Sequence, residues 1–198
     1  FRRVLFRSPL LNPVSAHPIV HNLNAIKCEF ASTLDTVEAP GIKKTVLLAT
    51  SKFSKSILSP VRVSLNILKE DPDPSYFSQQ YLPVAVLLEG KFESVFRGRV
   101  PAEILNNKEI AFRDTGVSNK MIVVSDGDMI CNYVSKKGNI FPLGYDRFTK
   151  QTYGNRNFIL NCVDYLCGND NIVSLRGKEF KIRLLDPAKD RKSTRLNS

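Results

Sequence analysis

The residues with the clearest potential for chemistry are two aspartates, Asp126 and Asp128, in the stretch MIVVSDGD (121–128). Ligands of open α/β sheets bind beyond the carboxyl ends of the strands, and two carboxylates at such an end could hold a hard cation. Alternatively, an aspartate caps the turn by accepting backbone N–H bonds, and Gly127 between them tolerates a positive φ. Two carboxylates around one glycine are a weak metal motif. The pattern therefore favours a structural turn, with ligand binding at Asp126 and Asp128 as the weaker alternative.

The two histidines of the chain, His17 and His21, lie in the stretch SAHPIVHNL. Histidines four residues apart face the same way on a helix, as in some metal sites. Pro18 follows His17 directly and disfavours a helical conformation at that residue. The sequence therefore predicts a loop that leads into a short turn, without a metal site.

A nucleophile with its activating base is not visible in the sequence. Ser51 follows an apolar run but lacks the flanking glycines of a nucleophile elbow. The four cysteines form no C-x-x-C pair, which argues against zinc and favours small buried hydrophobes. Glycine-rich phosphate loops are also missing from the sequence. We therefore expect no catalytic residues, no metal and no cofactor.

The two tails of the chain read as scars of sequencing rather than as protein. Opposite strands of one short DNA, resembling a common sequencing adapter, can encode FRRVLFRS at the start and DRKSTRL near the end. We therefore expect residues 1–8 and 190–198 to be artefacts and set them aside in fold reasoning.

Without the two tails the chain is only mildly basic. They carry six cations and one aspartate, so the formal net charge falls from +10 for the whole chain to +5 for residues 9–189. This mildly basic balance does not favour nucleic acid as a partner. The remaining length suits a single domain, which we expect to be cut at both ends, and its apolar runs are too short to span a membrane.

The apolar pattern predicts an α/β fold. Three continuous apolar runs, at Thr45–Thr50, Pro83–Leu88 and Met121–Ser125, suit strands of a parallel sheet that is covered on both faces. Alternation at Val61–Ile67 predicts a strand with one wet face, and a further strand is expected at Lys27–Thr33. Short helices are expected after Ser51 and near Asp128–Ser135. The stretches EDPDPSYF and PLGYDRFTKQTYG read as loops.

One helix is clearly predicted, over residues 155–167. Phe158, Cys162, Val163 and Leu166 recur at helical spacing; Asn155 could cap the start and Gly168 could end the helix. Together these elements predict a three-layer α/β domain with a mostly parallel sheet and helices on both faces, lacking its first strands at the N-terminal cut.

Several long stretches together resemble the gliding-associated GldG family of the Bacteroidota, between about residues 17 and 186. The stretches that carry the resemblance are HPIVHNL, EFASTLDTV, GIKKTVLLATSKFSKSILSPVRVSLNIL, YLPVAVLLEGKFESVFRGRVP, KMIVVSDGDMI, PLGYDRFTKQTYGNRNFILNCVDYL and IVSLRGKEFKIRLLD.

The resemblance implies an auxiliary protein of an ABC transporter, acting beside a permease and an ATPase. It implies a periplasmic domain of a Gram-negative bacterium, held to the cytoplasmic membrane by helices outside this segment, with an amidotransferase-like fold and no catalytic residues. We therefore expect a non-enzymatic docking or substrate-binding-like domain of a gliding-motility transporter. The alternatives are an amidotransferase-like or hydrolytic enzyme, or a small-ligand or cation site at Asp126 and Asp128.

Overall fold

The computed structural model of the chain describes residues 3–4, 9–58, 75 and 77–177. Its strands are β1 (Arg3–Val4), β2 (Leu10–Pro13), β3 (Ile26–Lys27), β4 (Ile42–Ala49), β5 (Ile57–Leu58), β6 (Pro83–Glu93) and β7 (Thr115–Val124). Its helices are α1 (Ala102–Leu105), α2 (Asn155–Leu166) and α3 (Asp170–Arg176), with a 3₁₀ turn at Asp128–Ile130.

The main sheet has five strands in the order β3-β2-β4-β6-β7, and each neighbouring pair is antiparallel. Strands β1 and β5 form a separate antiparallel pair. The predicted three-layer, mostly parallel, amidotransferase-like α/β fold is therefore wrong. The described part of the chain is built mainly from antiparallel strands with few helices.

The prediction failed because burial in this sheet varies along the strands. At one end of the sheet, Val84–Leu87 of β6 and Leu47–Ala49 of β4 are buried without interruption. At the other end, Gly90–Glu93 and Thr115–Asn119 are exposed or half-buried. A continuous apolar run indicates that both faces of a strand are covered, but it does not indicate whether the neighbouring strands are parallel or antiparallel. Antiparallel strands that are buried at one end leave the same pattern.

The three predicted central strands exist. Run 83–88 lies within β6, and runs 45–50 and 121–125 lie within β4 and β7 except for their last residues. Of the strand expected at Lys27–Thr33, only Lys27 belongs to a strand. The strand expected at Val61–Ile67 lies outside the described residues.

Helix α2 confirms the clearest helix prediction. Phe158, Cys162 and Tyr165 are buried on the face that packs into the core, while Val163 and Leu166 are exposed. Gly168, at φ +81°, ends the helix as predicted. Its N–H donates to the Tyr165 carbonyl and that of Asn169 donates to Asp164, which is the hydrogen-bond pair of a Schellman motif.

The other helix predictions were less successful. Asn155 does not cap α2 with its side chain, because it is the first helical residue and its amide is bonded elsewhere. The helix expected after Ser51 is replaced by a bend and a bridge between Ser54 and Gln79. Near Asp128–Ser135 only the short 3₁₀ turn forms. Residues 142–154 form turns, as predicted.

Candidate functional site

Asp126 lies two residues beyond the end of β7 and is 7% exposed. One of its carboxylate oxygens accepts the Glu29 N–H at 2.7 Å, and the other accepts the Asp128 N–H at 2.9 Å. Asp126 therefore holds the start of the 3₁₀ turn and joins the end of β7 to the chain that follows β3. Burial, and then the neighbouring Asp126 charge, raise the pKa of the Cys28 thiol, which is consequently a poor nucleophile.

Asp128 has a different environment from the buried Asp126. It is exposed and lines a cleft of about 310 Å³ on the surface. Both oxygens of Asp126 already accept backbone donors, whereas no side-chain hydrogen bond of Asp128 occurs within the described ranges. Over the same ranges, no group of three or more His, Cys, Asp and Glu side chains is placed to hold a metal.

The cleft beside Asp128 is built from four separate segments. It is lined by residues 27–29, 128–133 and 144–148 together with Asn155, omitting only Cys28 and Ile130 from those ranges. An ionic cluster forms its floor, in which the Lys27 ammonium lies 2.8 Å from Glu29 and 3.2 Å from Asp146.

The ionic cluster favours the charged forms of Lys27 and Asp146. Burial alone would lower the pKa of Lys27, but Glu29 and Asp146 together raise it. Burial alone would raise the pKa of Asp146, but hydrogen bonds from Thr149 and the Lys27 charge lower it. Lys27 and Asp146 are therefore a stable ion pair at neutral pH, and neither is poised as a proton donor or acceptor.

Asn155 is the residue of this site that sequence reasoning misjudged. Its amide oxygen accepts the Lys27 N–H at 2.9 Å, and its NH₂ group donates to the carbonyls of Lys27 (2.7 Å) and Met129 (3.2 Å). The side chain thus satisfies three backbone groups on two segments. Its partners on Lys27 and Met129 lie 128 and 26 residues away in the chain, so no local pattern points to these bonds.

The aromatic side chains Tyr133, Tyr145 and Phe148 line the cleft, and Phe141 packs on two of them without lining it. Phe141 and Tyr145 stack with centroids 4.4 Å apart, and Tyr133 lies 5.5 Å from Phe141. The Arg147 guanidinium lies 4.6 Å from the Phe148 ring centroid and 5.9 Å from that of Tyr133. Such an aromatic lining, with charged groups at its edge, suits recognition of another surface or ligand.

The histidines follow the predicted turn. The N–H of His21 donates to the His17 carbonyl at 3.0 Å. The His17 ring packs edge-to-face on Tyr165 at 4.9 Å, whereas a ring nitrogen of His21 lies 3.3 Å from the Gly177 carbonyl oxygen. Burial lowers the pKa of His17 despite the opposing charge of Glu89. The two rings have different partners and do not share a ligand position.

Ser51 is exposed. Its hydroxyl donates to the Phe53 carbonyl and accepts the Phe53 N–H. It lines a second cleft of about 220 Å³ with Thr50, Ser54 and neighbouring residues. Neither histidine is among the residues that line this cleft, so Ser51 has no imidazole partner there.

Comparison with known proteins defines the class of the chain. The profile of the family described as "ABC-type uncharacterized transport system" matches residues 4–162, which contain the main sheet, the cleft and most of α2. The chain belongs to this family of ABC transporter auxiliary proteins. A search of curated proteins and a search of solved structures each find no match. In the described ranges, no helix combines the length and hydropathy needed to cross a bilayer.

Proposed function

We propose that the chain is a non-enzymatic docking domain of an ABC transporter of the GldG type, associated with gliding motility in Bacteroidota. In this proposal the domain lies on the periplasmic side of the cytoplasmic membrane. It is anchored by membrane helices outside the present sequence and works with a permease and an ATPase. The observation that carries the proposal is the family match over residues 4–162.

The chemistry of the cleft supports recognition rather than catalysis. The Lys27–Asp146 pair is stabilised in its charged form, and the amide of Asn155 is engaged with backbone groups. Outside the cleft, burial raises the pKa of the Cys162 thiol to about 12 and shifts the pKa of the Cys28 thiol in the same direction. An activated cysteine nucleophile has a lowered pKa instead.

Co-purification of the full-length protein tests the partnership. The tagged protein is captured from detergent-solubilised membranes of its host and the recovered proteins are identified by mass spectrometry. We expect one permease and one ATPase at near-stoichiometric amounts, compared with an unrelated tagged membrane protein of similar abundance. Recovery of neither subunit would contradict the proposal.

The two exposed cysteines test the location. Cys131 and Cys167 are exposed, whereas Cys28 and Cys162 are buried. A maleimide that does not cross the cytoplasmic membrane should label the full-length protein in intact cells. A Cys131→Ser/Cys167→Ser variant is the matched control and should lose the labelling that these two thiols give. Labelling that requires permeabilisation of the cytoplasmic membrane would place the domain on the other side.

A further inference from the structure

Residues 130–150 form a compact lobe on one side of the cleft, here called the basic lobe. Bridges join Val134 to Ile140 and Tyr145 to Thr152, and the rings of Tyr133, Phe141 and Tyr145 pack on one another. Asp146 secures the lobe from below through its ion pair with Lys27.

The basic lobe exposes several large apolar side chains. Phe148 is 74% exposed and Ile140 is 73% exposed. Ile130 and Val134 are also exposed. Scattered apolar residues are common on protein surfaces, so these four indicate a partner only in combination with the charge of the lobe.

The basic lobe is also strongly cationic. Its exposed charged residues are Lys136, Lys137, Arg147 and Lys150, whereas the single acidic residue, Asp146, is buried and paired with Lys27. Across the described ranges, the ion pairs include none of these four cations. Arg147 is instead held over the Phe148 ring, which places a cation beside the most exposed apolar side chain of the lobe.

A second exposed loop region provides the contrast. Residues 93–114 also expose large apolar side chains, among them Val95 and Phe96. They contain four basic and four acidic residues, however, so that region has no net charge. Apolar exposure and positive charge therefore coincide in the basic lobe and not in region 93–114.

We propose that the basic lobe docks on the surface of an anionic lipid bilayer. Apolar side chains that enter the headgroup region gain hydrophobic free energy, while neighbouring lysines and arginines are attracted to anionic lipids. Phe148 and Ile140 would enter the bilayer interface, and the four cations would contact lipid phosphates. This inference goes beyond the proposed transporter role, because binding to pure lipid requires no permease or ATPase.

A single tryptophan reports insertion directly, since the chain contains none. In a Phe148→Trp variant of the full chain, vesicles rich in phosphatidylglycerol should shift the emission to the blue, and brominated lipid should quench it. Phe96→Trp, in region 93–114, is the matched control and should change little. An unshifted, unquenched signal from Phe148→Trp would overturn the proposal.

Charge variants test the electrostatic part by vesicle co-sedimentation. Lys136→Ser/Lys137→Ser/Arg147→Ser removes three cations and should weaken binding to phosphatidylglycerol vesicles by roughly 100-fold, since each cation contributes about fivefold. Arg99→Ser/Lys108→Ser/Arg113→Ser removes the same charge from region 93–114 and should change affinity by less than about threefold. The basic tails are identical in both variants.

The remaining outcomes distinguish other partners. Equal losses in the two triple variants would show binding through net charge alone and would overturn the proposal. Binding to polyglutamate without binding to vesicles would indicate an acidic protein partner and would also overturn it. Failure of vesicle binding leaves co-purification with transporter subunits unaffected, so the two proposals fail separately.

Discussion

At the scale of single residues, the carboxylate of Asp126 joins two segments that are distant in sequence. It accepts two backbone N–H bonds, from Glu29 and Asp128, in a buried position. The sequence anticipated a turn aspartate within MIVVSDGD, because alternating Asp and Gly after a strand is a local pattern. The bond to Glu29 could not be anticipated, since it crosses 97 residues of chain.

We expect Asp126→Asn to lower the free energy of unfolding by about 1–2 kcal/mol, because an amide NH₂ replaces one of the two acceptors. Asp128→Asn, at an exposed carboxylate, should change it by less than about 0.5 kcal/mol. Urea denaturation measures both. A melting shift on adding Ca²⁺ or Mg²⁺ to the wild type, abolished by Asp126→Asn, would instead indicate the cation site.

The Lys27–Asp146 pair predicts a pH dependence. The pKa of Asp146 is lowered in the folded protein, so the ionised carboxylate stabilises the fold at every pH above its unfolded pKa of about 3.9. This contribution is lost as the pH falls through the lower, folded pKa. We expect Asp146→Asn to cost about 2 kcal/mol at pH 7, because both side chains are largely buried.

The difference between wild type and Asp146→Asn should stay constant from pH 7 to pH 5 and shrink below pH 4. Denaturation curves at a series of pH values measure it. Lys43→Gln is the matched control, because Lys43 is 74% exposed in its pair with Glu89 and should contribute less than about 1 kcal/mol. A difference that grows on acidification would contradict the assignment.

At the scale of elements, the packing of β4 against β6 depends on one glycine. Gly90 of β6 has φ +149°, and a Cβ there would lie 2.2 Å from the Gly41 carbonyl oxygen. That atom belongs to the backbone just before β4, so it cannot move aside as a side chain could. The register Ile42↔Gly90 therefore requires glycine at this position.

We expect Gly90→Ala to destabilise the fold by about 3 kcal/mol, since it combines backbone strain with a steric overlap. Gly127→Ala should be neutral within about 0.5 kcal/mol, because φ is −75° there and nothing lies within 4 Å of the added Cβ. Thermal and chemical unfolding measure both variants. Equal stability of the two would show that β4 and β6 pack in another way.

The elements also show the limits of sequence reasoning. The run PVAVLL predicted a buried strand, and β6 contains it, because a local apolar run is enough to identify a covered strand. The direction of its neighbours was predicted wrongly, since direction depends on the path of the connecting chain. Among the cleft residues, the sequence motif predicted only Asp128. No local pattern predicts that Lys27, Asp146 and Asn155 lie close together.

At the scale of the whole molecule, the four thiols report global opening. Burial raises the pKa of Cys162 to about 12 and that of Cys28 in the same direction, whereas Cys131 and Cys167 are exposed. We expect two thiols to react rapidly with a maleimide at neutral pH. Cys28 and Cys162 should react at least roughly 1,000-fold more slowly, because they become accessible only when the fold opens, which costs about 4 kcal/mol or more.

Mass spectrometry of the labelled peptides over time checks this order. Denaturant should bring all four thiols to similar rates, which is the internal control. Rapid labelling of Cys162 without denaturant would show that α2 separates from the sheet independently, and the hydrophobic core would then not open as one unit.

The sequence by itself determined the local features of this protein: the extent of α2, its end at Gly168, the three central strands and the turn at Asp126. Each depends on the spacing and conformational preference of residues close together in the chain. Only the tertiary structure decided the antiparallel sheet and the joining of Lys27 to Asn155, 128 residues apart. Strand direction and such distant contacts depend on the path of the whole chain, which local patterns do not contain.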